Sequence, residues 1–194
     1  MGEGTYHLVT LGCPKNQVDS DKLAGTLAAD GMAPTDSPAE ADLIVVNTCA
    51  FIADARQESV DTVLALADLR RDGARLVVTG CMAERYGDEL AAALPEVDSV
   101  AGFGVPVVLG RRPDGPSDNG PPLTSFDLLN LPRPASARPW AYVKIAEGCD
   151  RACGFCAIPT FRGPQRSRSI ESVVTEAQAL AAQGGVELNL IAQD

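Results

Sequence analysis

The sequence predicts an α/β protein in which a small open parallel-sheet N-terminal domain is followed by the start of a partial β/α barrel. Short β-branched runs alternate with helical stretches up to about residue 100, and the alternation restarts at Trp140. A proline- and glycine-rich stretch separates the two patterns. We therefore predict domains at residues 1–104 and 140–194, joined by a linker at 105–139.

The N-terminal domain is predicted from three near-continuous apolar runs. Runs of this length suit strands that are buried on both faces of a parallel sheet, and they lie at residues 7–11, 43–47 and 76–79. The spacing of apolar side chains between and after them predicts three helices, at residues 19–30, 53–72 and 82–94. Strands that alternate with helices in this way form right-handed crossovers.

The second domain is predicted as one βαβ unit. A strand is expected at residues 140–146 and a buried strand at 186–192. Between them, Ser169 is a suitable N-cap for a helix over residues 170–183. A cysteine-rich loop follows the first of these strands, at the end where β/α barrels carry their active sites.

Charge and targeting signals narrow the function. The net charge of −10 argues against a nucleic-acid surface along the whole chain. No segment resembles a signal peptide or a membrane span, so we expect a cytoplasmic protein without a membrane partner. Seven basic residues between Arg133 and Arg168 predict a local basic surface beside the cysteine loop, with an ordinary solvated surface as the alternative.

Three cysteines follow the predicted strands of the N-terminal domain. They are Cys13, Cys49 and Cys81, in the sequences LGC, NTC and TGC. The carboxyl ends of parallel strands meet at one edge of the sheet, where ligands collect. Three thiols at one edge predict a metal site, although a free cysteine is also a common buried core residue.

The other three cysteines form a single motif, Cys149-x-x-x-Cys153-x-x-Cys156. A structural zinc site needs four closed ligands, and the only histidine is His7, far away in the first strand. Three thiolates on a cubane iron–sulfur cluster leave one iron open to a small molecule. The motif therefore predicts a catalytic cluster, with a non-catalytic iron–sulfur module or a zinc scaffold as alternatives.

The segment EGCDRACGFC resembles the cluster loop of the radical S-adenosylmethionine superfamily. The resemblance implies that S-adenosylmethionine chelates the open iron of a 4Fe–4S cluster. One electron then cleaves it to methionine and a 5′-deoxyadenosyl radical. Phe155 would lie near the adenine, whereas the alternative is a simple core aromatic.

The N-terminal motifs TLGCPKNQVDSD, VNTCAFIADARQES and TGCMAERYGDEL look like the methylthiotransferase family. In that family Cys13, Cys49 and Cys81 would hold a second 4Fe–4S cluster. The resemblance implies a transferase that inserts sulfur into an unactivated C–H bond. One cluster would generate the radical and the other would present the methylated sulfur.

Within the family, LGCPKN, RGPQRSR and LIAQD look like the RimO branch. That branch methylthiolates the β-carbon of an aspartate in the twelfth small-subunit ribosomal protein. The alternative branch modifies an adenosine in transfer RNA and usually has GCQMN at the first cysteine. An electron donor such as flavodoxin or ferredoxin is expected. The chain looks C-terminally truncated relative to the family, so we expect it to be inactive alone.

Overall fold

The structure is a computed structural model that describes residues 4–103, 107, 129, 131, 133–134 and 138–193. Most of the predicted linker at 105–139 lies outside the described residues. The domain boundaries that we placed from the sequence therefore stay predictions. Among the described residues, no helix combines the length and apolar character that a bilayer crossing needs.

The first part of the chain is a five-stranded sheet in which every pairing is parallel. Its strands are β1 (Thr5–Thr10), β2 (Ala33–Pro34), β3 (Leu43–Thr48), β4 (Arg75–Gly80) and β5 (Ser99–Ala101), in the spatial order β2-β1-β3-β4-β5. Three helices connect them: α1 (Pro14–Ala29), α2 (Ala53–Leu69) and α3 (Cys81–Ala93). The predicted α/β fold with an open parallel sheet is confirmed.

The core lies on both faces of the central strands, because β3 is buried along its entire length. Ile44 and Val46 pack with Val63 of α2 and Leu90 of α3 on one face. On the opposite face, the alternate residues of β3 pack with Leu27 of α1. Two-sided burial explains why this strand appears in the sequence as a continuous apolar run.

The largest shift in a predicted boundary is at α1, which begins five residues before the predicted start. Pro14 occupies the first turn, where a missing backbone N–H has no cost, and Cys13 is the N-cap residue. This early start places Lys15, Asn16 and Asp19 on the helix and beside the carboxyl edge of the sheet.

The second part contains the predicted βαβ unit. Strand β6 (Trp140–Lys144) pairs in parallel with β9 (Glu187–Ile191), and α5 (Ile170–Ala182) packs on β6 through Leu180. The predicted cap is confirmed, because the Ser172 N–H donates to Ser169 Oγ at 3.2 Å. Three short elements complete this part: β7 (Ala146–Glu147), α4 (Ile158–Arg162) and β8 (Arg166–Ser167).

The prediction of a buried strand at 186–192 is wrong. Val186 is 84% exposed and Leu190 is 61% exposed. In the part of the chain that the structure describes, β9 pairs with β6 alone, so one edge of this strand has no partner. An apolar sequence shows that a strand can be buried, but the elements that pack against the strand determine whether it is buried.

The predicted basic surface is also mostly wrong, because four of its seven cations are buried in ion pairs. Their side chains are 0–5% exposed: Arg133, Lys144, Arg162 and Arg168. Two of them, Arg133 and Arg168, pair with Glu176 of α5, which also contacts Lys22 of α1 at 3.3 Å. Carboxylates of α1, β7 and α5 neutralise charges that appeared in the sequence to be an exposed cluster.

Candidate metal centre

A cavity of about 490 Å³ lies at the carboxyl edge of the five-stranded sheet, and Cys13, Cys49 and Cys81 all line it. Cys49 directly follows β3 and Cys81 directly follows β4, while Cys13 precedes α1. Cys49 and Cys81 are buried, and Cys13 is exposed. Parallel strands thus bring three thiols that are distant in sequence to one cavity.

Glycines allow two of these cysteines to approach the neighbouring strand ends. Gly12 and Gly80 have φ angles of +88° and +89°, in the left-handed region that favours glycine. A Cβ at Gly12 would lie 2.7 Å from the Cβ of Cys49, and one at Gly80 would lie 2.2 Å from Asn47 Oδ1. The space at this edge is therefore closed to any side chain at either position.

The second cysteine set lies on the loop between β7 and α4. Cys149 is buried, Cys153 is exposed and Cys156 is partly exposed. The Cys149 N–H donates to the Gly163 carbonyl at 3.1 Å, and the Cys156 N–H donates to the Cys153 carbonyl at 3.0 Å. These bonds fold the loop back on itself and onto the end of α4.

Gly148 precedes this loop with a φ angle of +79°. A Cβ there would lie 2.1 Å from the Pro164 carbonyl oxygen, which is a backbone atom. Its own N–H donates to Gln193 Oε1 at 2.6 Å. A glycine with positive φ therefore precedes Cys149, as it does Cys13 and Cys81.

Within the described residues, the second cysteine set does not line the cavity that the first set borders. The loop thiols are absent from the residues that line the 490 Å³ cavity, whose far wall is formed by Ile158, Phe161, Arg162 and the residues after β9. Among the described residues, no group of three or more His, Cys, Asp or Glu side chains is arranged to hold a single metal ion. A cubane cluster binds each thiolate through a different iron, so it does not need that close arrangement.

Phe155 is 90% exposed, so it is not part of the core formed by the described residues. An exposed large apolar side chain beside a cysteine loop is available to contact a bound ligand. The predicted contact with an adenine ring stays a prediction.

Arg162 contacts the first cysteine set directly. Its Nη2 donates to Cys81 Sγ at 3.1 Å and to Asn16 Oδ1 at 2.7 Å. Burial raises the pKa of the Cys81 thiol to about 11, although the neighbouring guanidinium lowers it. The free thiol is therefore neutral at pH 7, and metal binding would release its proton.

Sequence reasoning missed the buried ions that surround Arg162. Arg162 Nη1 lies 3.0 Å from Asp19 Oδ2 and 3.3 Å from Glu147 Oε2, and Lys144 Nζ contacts both of these carboxylates. Lys15 Nζ donates to the Ala146 carbonyl at 2.7 Å. We call Lys15, Asp19, Lys144, Glu147 and Arg162 the buried ion network. The signal in the sequence was a lysine inside the apolar strand WAYVKIA.

The first cysteine set fits an iron–sulfur cluster in donor chemistry and in space. Three thiols border one cavity of about 490 Å³. A cation already donates a hydrogen bond to one of the sulfurs. Thiolate ligands with hydrogen bonds to sulfur are typical of such clusters.

The fold and the cavity define a class: an α/β protein with an open parallel sheet that gathers three thiols at its carboxyl edge. The profile of the uncharacterized protein family UPF0004 matches residues 5–102, which cover the whole sheet and about half of the chain. The chain belongs to this family.

Curated relatives extend the similarity beyond the sheet. The ribosomal protein uS12 methylthiotransferase RimO of Anaeromyxobacter sp. (strain Fw109-5) is 48% identical over 200 residues, which cover 100% of this chain and 43% of the relative. The protein of that name in Myxococcus xanthus (strain DK1622) is 47% identical over 98% of this chain and 41% of the relative. The resemblance to the RimO branch of the methylthiotransferase family, which was predicted from the sequence, is confirmed. The chain spans less than half the length of these relatives.

Proposed function

We propose that this chain is part of a radical S-adenosylmethionine methylthiotransferase that modifies the ribosomal protein uS12. The cavity that brings Cys13, Cys49 and Cys81 together at one sheet edge is the observation that carries the proposal. The CxxxCxxC loop supports it, and so do relatives that are named uS12 methylthiotransferases. The relatives give no support to a transfer-RNA substrate.

The six cysteines form two ligand sets in this proposal. Cys13, Cys49 and Cys81 would hold one 4Fe–4S cluster, and Cys149, Cys153 and Cys156 would hold the other. When bound, the two clusters and S-adenosylmethionine would supply the radical and the methylated sulfur that add a methylthio group to the β-carbon of an aspartate.

The remaining residues organise these sites. Gly148 lets the loop turn sharply at Cys149, and the bond from the Cys149 N–H to Gly163 holds that turn. Phe155 would cover the adenine. Phe161 and Ile158 add apolar surface to the cavity that Cys81 lines. Cytoplasmic location and reduction by flavodoxin or ferredoxin belong to the same proposal.

An iron and acid-labile sulfide count on anaerobically reconstituted chain tests the proposal. We expect two 4Fe–4S clusters in the parent and one in a Cys149/Cys153/Cys156→Ala variant. A Cys13/Cys49/Cys81→Ala variant is the matched control and should also keep one. Zinc without sulfide in the parent would support a scaffold instead. Two clusters without binding of S-adenosylmethionine would support a non-catalytic module.

The substrate is tested with a chimera in which this chain replaces the matched segment of the Anaeromyxobacter relative. We expect the chimera to add the mass of a methylthio group to uS12 in cells that lack their own enzyme. A chimera with Cys153→Ala should leave uS12 unmodified. Modification of transfer RNA in place of uS12 would contradict the proposed substrate.

A further inference from the structure

Arg162 is the one charged side chain that the structure records in hydrogen-bond contact with a cavity cysteine, within the described residues. Its Nη2 lies 3.1 Å from Cys81 Sγ, and the whole residue is only 2% exposed. The same nitrogen donates to Asn16 Oδ1 at 2.7 Å. A buried guanidinium is therefore directed at one sulfur of the first cysteine set.

Several contacts fix the guanidinium in this position. Asp19 and Glu147 accept from its Nη1, at 3.0 and 3.3 Å. Its Cζ lies 4.4 Å from the ring centroid of Phe103, so an aromatic face covers one side. With ion pairs on one nitrogen and an aromatic ring against its plane, the group has little freedom to turn away from Cys81.

Arg162 belongs to the part of the chain that carries the other cysteine set. It is the last residue of α4, six positions after Cys156. The next residue, Gly163, accepts the Cys149 N–H at 3.1 Å. Two consecutive residues thus contact one cysteine of each set, the first by its side chain and the second by its carbonyl.

We propose that Arg162 is a positioning residue that raises the reduction potential of the cluster held by Cys13, Cys49 and Cys81. This inference rests on the proposed function, because it requires Cys81 to be a cluster ligand. Hydrogen bonds to ligand sulfurs and nearby charge set the potentials of iron–sulfur clusters. A positive charge that donates to a ligand thiolate stabilises the added electron, so the reduced form is favoured.

The test measures the midpoint potential of the N-terminal cluster by redox titration with electron paramagnetic resonance. The full chain carries Cys149/Cys153/Cys156→Ala, so that only one cluster contributes. We expect Arg162→Gln to move the midpoint to a more negative potential, and Arg162→Lys to move it less because the charge remains. A matched control is Arg168→Gln, which removes a buried cation paired with Glu176 and should leave the midpoint unchanged.

Asp19→Asn provides a second variant in case Arg162→Gln does not fold. It removes a carboxylate that neutralises the guanidinium and keeps the shape of the side chain. We expect its midpoint to move to a more positive potential. An unchanged midpoint in the folded variants overturns the role of Arg162 while the cluster itself stands. A parent that assembles no N-terminal cluster overturns the proposed function, and the inference with it.

Discussion

Glycine precedes cysteine at three places in the chain: Gly12–Cys13, Gly80–Cys81 and Gly148–Cys149. All three glycines have positive φ, and a Cβ at any of them would come within 3 Å of a neighbouring atom. Two constraints require glycine at each position: the backbone angle is in the left-handed region, and a neighbouring atom lies too close for a Cβ. The dipeptide is therefore a recurring local unit in which a close-packed glycine directly precedes a cysteine.

Gly148→Ala is expected to destabilise the cysteine loop more than backbone strain alone would. The left-handed conformation costs about 1–2 kcal/mol for a residue with a Cβ, and the new methyl group would also lie 2.1 Å from the Pro164 carbonyl oxygen. We expect a lower melting temperature and loss of the cluster held by Cys149, measured by calorimetry and iron content.

Gly184→Ala is the matched control for this change. Gly184 has a φ of +98°, but nothing lies within 4 Å of a Cβ built there. It should show the strain cost alone and keep full iron content. If Gly148→Ala and Gly184→Ala lowered the melting temperature and the iron content equally, a steric role for the close approach at Gly148 would be contradicted.

Between secondary-structure elements, the buried ion network links β6 to α1 through ion pairs. Lys144 is completely buried within the strand and contacts Asp19 of the helix and Glu147 of β7. Lys144→Met would leave two buried carboxylates with fewer cations. Removal of one partner of a buried pair costs about 3–5 kcal/mol, which urea unfolding would detect.

Arg138→Met is the control for Lys144→Met because it removes an exposed cation just before the same strand. Arg138 stacks on Trp140 at 4.9 Å, a contact worth about 1 kcal/mol or less at an exposed site. If Lys144→Met lowered the free energy of unfolding no more than Arg138→Met does, the network would contribute little to stability.

Helix α5 contributes a carboxylate whose stabilisation depends on pH. Burial alone would raise the pKa of Glu176, but Lys22, Arg168 and Arg133 outweigh it and hold the pKa below its ordinary value. A carboxyl with a lowered pKa in the folded state stabilises the fold above its ordinary pKa of about 4.3. That contribution is lost as the pH falls through the lower folded value.

Glu176→Gln should therefore be less stable than the parent at pH 7, by about 3 kcal/mol, with a difference that shrinks below about pH 4. Thermal melts from pH 7 to pH 3 measure this convergence. Glu171→Gln, an exposed change in the same helix, should cost at most about 1 kcal/mol at pH 7. If the difference in stability between Glu176→Gln and the parent stayed constant from pH 7 to pH 3, the ion pairs of Glu176 would not be its cause.

At the scale of the whole molecule, α1 holds the two described parts together. Four of its side chains reach the second part: Lys15 contacts the Ala146 carbonyl, Asn16 accepts from Arg162, Asp19 pairs with Lys144 and Arg162, and Lys22 pairs with Glu176. Because these contacts are buried, separating the parts would leave charges unpaired. The two parts should therefore unfold together.

The single tryptophan of the chain tests this cooperativity, because Trp140 lies at the start of β6. We expect its fluorescence to change at the same urea concentration as the far-ultraviolet circular dichroism of the entire chain. A fluorescence transition at clearly lower urea would show that the second part unfolds by itself. Lys144→Met should separate the two transitions if the network is the link.

The sequence predicts some features of this molecule better than others. Strands β3 and β4 were predicted to within one residue at each end, because β-branched runs record burial directly. The cysteines at the strand ends followed from the same topology. The buried ions did not, since Lys144 and Arg162 meet Asp19 across 125 and 143 positions. A charged residue is normally predicted to be solvated, and the sequence around Lys144 and Arg162 does not contain their distant partner Asp19.

The buried ion network also limits how this chain can change over generations. Its five members divide between the two parts, with Lys15 and Asp19 on α1 and Lys144, Glu147 and Arg162 on the other side. Neutralising Asp19 would leave Lys144 and Arg162, which lie more than a hundred positions away, with one carboxylate fewer. Whether a substitution on α1 is tolerated therefore depends on the side chains that face it from the second part.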